Sequence, residues 1–169
     1  IFQWYLKHIG FLMRPKPVIW HFKILISSKK LMETYLIEVG QNGRLELIET
    51  IAQPDMVDEA NRTFGGPAGR DGLVAHVKNF RRQIGELKLE IKQIVGNENE
   101  VMAHWFFTGI HRGPWLRQEA TEKEVSANVF SFFTLKDGLI SYYRLWLHAM
   151  IDGPVIFDSS CPRKEKRQI

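Results

Sequence analysis

A chain of 169 residues with 44% hydrophobic content can bury one sizeable core, and its length predicts a single domain. Its one cysteine, Cys161, excludes an internal disulfide framework and a four-thiolate zinc site, and its six histidines show no close ligand spacing, so neither a metal nor a cofactor is expected. The net charge of +4 resides at the ends: residues 1–31 hold six Lys/Arg and no acid, residues 159–169 hold four and one, and residues 32–158 hold 13 against 18 Asp/Glu, which makes the body acidic and a poor phosphate binder, so no nucleic-acid partner is expected.

The first 31 residues are basic and aromatic, with apolar runs cut by Lys7, His8, Arg14, Lys16 and Lys23. None of these runs reaches the ~18 residues a membrane span needs, and the segment lacks the charged, apolar and small-residue order of a signal peptide. Such an arm can rest on a membrane surface. The preferred reading is that residues 1–31 are an N-terminal extension outside the native domain, that 32–158 form the domain, and that 159–169 are a basic tail. Cytoplasm is the default compartment, with no membrane partner.

From Met32 the pattern becomes regular. Tyr35, Leu36 and Val39 have helical spacing, Gly40 to Gly43 break it, and a second helical run at Leu45, Leu47, Ile48 and Ile51 stops at Pro54. After the turn cluster GGPAGRDGL, where Asp71 favours a helix start, Leu73, Val77, Phe80 and Ile84 mark one face of a third helix that Gly85 can end. The period then changes. Leu87, Leu89 and Ile91 alternate with charged residues, GNEN at 96–99 turns the chain into a strand from Glu100, a third strand runs from Glu124 to Leu135, and Asp137-Gly138 signals a hairpin into a fourth at Leu139 to about Ile151. Three helices before four antiparallel strands predict an α+β fold with the helices on one side of a curved, mainly antiparallel sheet.

Both faces of the middle strands are apolar. One parity of 101–111 carries Val101, Ala103, Trp105, Phe107 and His111, and the other Met102, His104, Phe106 and Ile110; Val125, Val129 and Phe133 oppose Phe130 and Phe132 in the same way. A sheet with one wet face alternates apolar and polar residues. Helices can cover only one side, so the other is expected to meet a second copy in a homodimer.

The order of GRLELIETIAQPDMVDEA, GRDGL, TGIHRGPW, ATEKEVS and LKDGLISYYRLWLHAMIDG over residues 32–153 resembles the SnoaL-like polyketide cyclase family of the nuclear transport factor two-like superfamily. The resemblance implies a cone-shaped α+β barrel, usually dimeric, with a deep apolar pocket between helices and sheet. It also implies ring closure by intramolecular aldol condensation without metal or cofactor. ATEKEVS lacks the proline and glycine of the family's usual turn there.

Such chemistry needs a base for a proton alpha to a carbonyl, a donor for the enolate oxygen and an aromatic enclosure that orients a flexible chain. On the last strand Tyr142, Arg144, Trp146, His148 and Asp152 share a parity and make a polar, aromatic face. The resemblance puts the family's acid/base aspartate at His148, and imidazole can serve near neutrality; the same replacement also fits a chain that has lost cyclase activity. His111 in TGIHRG matches the family's histidine near the pocket mouth and is the second catalytic candidate. Trp105 and Phe107 share its parity, and Glu59, Phe130, Tyr142, Arg144, Trp146 and Asp152 complete the substrate-binding set; His104 is read as a core or interface histidine, and Asp58 as a helix cap. The expected function is a cofactor-independent cyclase or isomerase acting on a small apolar carbonyl compound such as a polyketide. Two alternatives stand beside it: an epoxide hydrolase of the same superfamily built on Arg144, Asp152 and Asp58, and a non-catalytic ligand-binding or dimerisation module.

Overall fold

The computed structural model describes residues 28–151 and 156–158. The expectations for residues 1–27, for Asp152 and for the basic tail at 159–169 lie outside the described residues. Helix α1 occupies 28–33 and continues as a π-helix over Thr34–Gln41. Met32, Tyr35, Leu36 and Val39 are buried along one side of it, together with Ser28 and Leu31 upstream of the expected start. Arg81 donates to the terminal carbonyls of Gly40 and Gln41, satisfying acceptors that a helix end leaves open.

A 3-10 turn at Leu45–Leu47 leads into the short helix α2, Ile48–Ile51. The next segment differs from the sequence reading. Ala52–Asp58, expected only as the region where a helix stops at Pro54, is strand β1 and pairs in parallel with the last long strand. Pro54 is tolerated because the register shifts between Ala52 and Val57, where its missing N–H costs no ladder bond. Helix α3 is Glu59–Thr63, and α4 is Gly69–Gln83 with Leu73 and Val77 buried. Ile84, read as the last helical contact of α4, instead opens β2.

Strands β2 (Ile84–Gly96), β3 (Glu100–His111), β4 (Glu124–Lys136) and β5 (Leu139–Ile151) follow, and β6 (Ile156–Asp158) pairs with β5. The sheet order is β1-β5-β4-β3-β2, antiparallel apart from β1 with β5. Asp137 and Gly138 have φ of 53° and 76°, the two left-handed residues that a tight hairpin turn requires. At Gly109 a Cβ would lie 2.7 Å from the Gly85 carbonyl oxygen, so glycine there permits β2 and β3 to approach.

The helices cover one side of this sheet. Tyr35 packs edge-on against Phe133 and Tyr143, and Phe80 does so against Phe107. Beneath them Val101, Ala103, Trp105, Phe107, Val125, Ala127, Val129 and Phe133 are buried, a core built from one strand parity. The opposite parity, including Met102, His104, Phe106 and Phe132, is half-buried, and Phe130 is 42% exposed. This is the cone-shaped α+β architecture expected from the sequence, with helices on the inner side of a curved sheet.

Candidate functional site

The sequence's candidates divide between the two sheet faces. Trp105, Phe107 and His111 lie on the covered inner face at 6%, 1% and 0% exposure. The register pairs Thr134 with Tyr142, Phe132 with Arg144, Phe130 with Trp146 and Asn128 with His148, all on the outer face. His148 is exposed. The polar, aromatic parity of β5 was expected to line a pocket between helices and sheet; it lies instead on the sheet face opposite the buried core, where Glu59 of α3 meets it. Tyr143 and Ala149 supply the buried parity. Arg144 and Asp58 are likewise on opposite faces, so the residue set expected of an epoxide hydrolase is not gathered.

On the outer side Glu59, Tyr142, Arg144 and Trp146 do come together. The Tyr142 hydroxyl donates to Glu59, Arg62 contacts the same carboxylate at 3.1 Å and Arg144 lies 3.7 Å away, with its guanidinium 5.7 Å above the Trp146 ring. The Tyr142 hydrogen bond, then the two arginines, hold the Glu59 carboxyl below its usual range, while burial and Glu59 raise the Tyr142 phenol. Nearby, His104 is bonded to Asn128 at 2.9 Å and stacked on Phe130 at 4.5 Å. The cluster packs as ion pairs and stacked rings on the sheet surface.

The inner face holds a different constellation. Asp58 ends β1 and caps α3 by accepting from the Asn61 N–H at 3.1 Å; its other oxygen lies 2.6 Å from Nδ1 of His76 on α4. The Asp58 side chain is 1% exposed and that of His76 22%. Since a carboxylate only accepts, Nδ1–H donates to it, which leaves Nε2 on the far side of the ring. The imidazole stacks on Tyr143 at 5.7 Å and 21°. Tyr143 shares a hydrogen bond with Ser131 at 3.2 Å, and Trp105 Nε1 donates to Ser131 at 3.0 Å. Burial first, and then the Asp58 charge among other contributions, push the Tyr35 and Tyr143 phenols well above their ordinary range.

Because these folded-state values exceed those of the unfolded chain, the stabilisation they represent is complete below about pH 10 and is lost as pH rises further. In a spectrophotometric titration, Tyr35 and Tyr143 are therefore expected to ionise only together with loss of circular dichroism. Ionisation of every tyrosine in a folded protein would contradict the burial argument.

At the other end of the inner face, His111 Nδ1 is 3.2 Å from the Thr121 hydroxyl, and its backbone is tied to Glu122 and Lys123. Its Nε2 is buried without a hydrogen-bond partner among the described residues, beside the Trp115 ring, which in turn meets Phe107 edge-on. A cleft of about 450 Å³ lined by Gln41, Arg81, Gly85, Glu86 and Lys88 contains none of the sequence's candidates. Among the described residues no group of His, Cys, Asp and Glu could hold a metal ion, and no helix is long and apolar enough to cross a membrane.

His76, Tyr143, Tyr35 and Ser131 were not among the sequence's candidates. His76 follows Leu73 by three residues and precedes Phe80 by four, so it lies on the apolar side of α4; a histidine there was the available signal. Tyr143 carried a weaker one, as a polar-tipped ring in a parity otherwise aliphatic from Leu145 to Ile151.

Helices closed over a curved sheet make the cone-shaped α+β fold shared by SnoaL-like and nuclear transport factor two-like proteins. The model of the SnoaL-like polyketide cyclase family matches residues 30–150, and the chain belongs to that family. Among solved structures, TsrD from Streptomyces laurentii is 21% identical with a TM-score of 0.62, covering 72% of this chain and 88% of its own. A SnoaL-like polyketide cyclase from Agrobacterium tumefaciens is 15% identical with a TM-score of 0.62, covering 71% and 90%. At these identities the likeness is one of fold. No curated protein sequence matches the chain.

Proposed function

We propose that the protein is a cofactor-independent cyclase or isomerase that removes a proton alpha to a carbonyl of a small apolar compound, such as a polyketide, on the inner face of the cone. The observation that carries this reading is the 2.6 Å contact between buried Asp58 and His76. Asp58 fixes the ring and its tautomer and compensates the imidazolium that forms when Nε2 accepts the proton. In the aldol form of the reaction, the resulting enolate carbon attacks a second carbonyl carbon of the same molecule. A carbon–carbon bond forms, the second oxygen becomes an alkoxide, and the proton returns to it from His76. The acid/base role assigned in the sequence to His148 passes to His76, and Trp105 and Phe107 serve as the apolar wall.

A panel of polyketide-like ketoesters, followed for turnover and for ligand-induced melting shifts, tests this reading. Turnover supports it; saturable stabilisation without turnover supports a binding module instead.

The reading includes a homodimer through the outer sheet face, where Phe106, Phe130, Phe132 and Trp146 leave apolar area that the helices do not reach. Sedimentation at micromolar concentration is expected to give a dimer, and Phe130→Asp to shift it toward monomer. A wild-type monomer would refute this part.

A further inference from the structure

Strand β2 ends the sheet, and among the described strands none pairs with its outer side. Such an edge is a row of backbone donors and acceptors open to another strand. The Leu89 N–H points outward and donates to the side-chain amide oxygen of Gln41 at 2.7 Å, so an amide carbonyl already sits where a neighbouring strand would place one. The pairing with β3 runs without a shift over residues 88–91, and by its alternation Ile91 also turns its N–H and C=O outward. Lys88 and Glu90 turn theirs toward β3. Between Gln41, Arg81 and residues 84–88, the cleft of about 450 Å³ leaves room beside the first part of the strand.

The side chains along this edge have an order of their own. From residue 86 to residue 92 they read Glu, Leu, Lys, Leu, Glu, Ile, Lys; the four charged ones are exposed, and the three aliphatic ones are half-buried against the core. We infer that β2 pairs edge to edge with β2 of a second copy, antiparallel about a twofold axis at Leu89, and joins the two sheets into one. Turned about Leu89, the segment sets Glu86 against Lys92, Lys88 against Glu90 and Leu87 against Ile91 of the second copy. Every charged pair is then opposite in sign. A slip of two residues in one direction puts Lys88 on Lys88, and in the other Glu90 on Glu90; a slip of one mates outward Leu89 with a residue whose backbone faces inward. One register therefore satisfies both backbone and charge. Lysines on an edge strand ordinarily deter pairing, but here each meets a carboxylate of the twin strand. The contacts these side chains make within the protomer, Lys92 with Glu90 at 2.6 Å and Arg112 with Glu86 at 2.5 Å, involve groups 40% to 65% exposed, which can turn to new partners. The Gln41 amide gives way to the Leu89 carbonyl of the second copy. One strand against one strand buries less than a stable dimer needs, so this pairing is weak and adds to the outer-face contact only at high concentration.

Sedimentation of the full chain from micromolar to millimolar concentration tests the pairing. The wild-type mass is expected to double over that range. Two variants make the edge uniform in charge: Glu86→Lys with Glu90→Lys, and Lys88→Glu with Lys92→Glu. Like charges then lie opposite one another, so each variant alone should associate about tenfold more weakly or worse and lose the doubling, whereas an equimolar mixture of the two should recover it. Exchanging the central pair, Lys88→Glu with Glu90→Lys, keeps every cross-strand pair opposite in sign and should keep the doubling. Gln41→Ala, which frees the Leu89 N–H, should pair more tightly. Phe130→Asp, on β4, should leave the doubling in place, which separates this edge from the outer-face dimer. A wild-type mass that stays constant up to millimolar protein overturns the inference. So does doubling retained in both charge-uniform variants, or a mixture that fails to recover it while circular dichroism shows both variants folded.

Discussion

His76→Gln is expected to lower turnover of a carbonyl substrate by about 10²–10⁴-fold, the range associated with a positioned general base, with little change in KM or melting temperature. The effect on folding is small because the His76 side chain is 22% exposed and glutamine preserves much of its volume and a donor toward Asp58. Asp58→Asn is the companion variant. Its amide oxygen can still accept from the Asn61 N–H, so the α3 cap survives, but a neutral amide no longer compensates an imidazolium and can face His76 with its NH₂, favouring the wrong tautomer. A loss of about a hundredfold or more is expected, with the fold intact. Steady-state kinetics on the same ketoester decides the matter. If His148→Ala abolishes turnover while His76→Gln retains the wild-type rate, the base lies on the outer face and the inner-face assignment is wrong.

The second large effect concerns stability. Phe133 is 0% exposed, and its ring meets Tyr35 and Tyr143 edge-on at 5.0 Å each. Phe133→Ala removes a ring from the junction where α1 meets β4 and β5, and should cost about 3–5 kcal/mol through lost transfer energy and the cavity left behind. Its neighbour Phe132 points to the opposite face and is only half-buried, so Phe132→Ala should cost clearly less within the folded protomer. Urea unfolding with an unchanged slope measures both variants. Equal costs would mean that the two faces of β4 are equally packed within one protomer, contrary to the observed burial alternation.

The contrast between Phe132 and Phe133 shows why the site was only half legible in the sequence. Trp105, Phe107 and His111 were grouped correctly by parity, and the structure buries all three. On β5 polarity was taken as a sign of a pocket, and the structure puts that parity on the outer face. Tyr142, Arg144 and Trp146 face outward to meet Glu59 and Phe130, while Tyr143 faces in. In a sheet with two apolar faces, alternation separates the residues into two sets but does not say which set the helices will cover.

What the sequence determined by itself is the local part of the fold. Alternation marked the middle of β2, the GNEN turn began β3, Asp137-Gly138 placed the hairpin between β4 and β5, and the Leu73, Val77 and Phe80 spacing placed α4, because backbone period and turn geometry are properties of neighbouring residues. The tertiary structure decided the rest. Only the parallel pairing of β1 with β5 sets Asp58 opposite Tyr143, and only the packing of α4 over that edge brings His76, 18 residues along the chain, to 2.6 Å from Asp58. Those contacts depend on how helices settle on a twisted sheet, which is governed by the shape and burial of many distant side chains at once, and no local period records it.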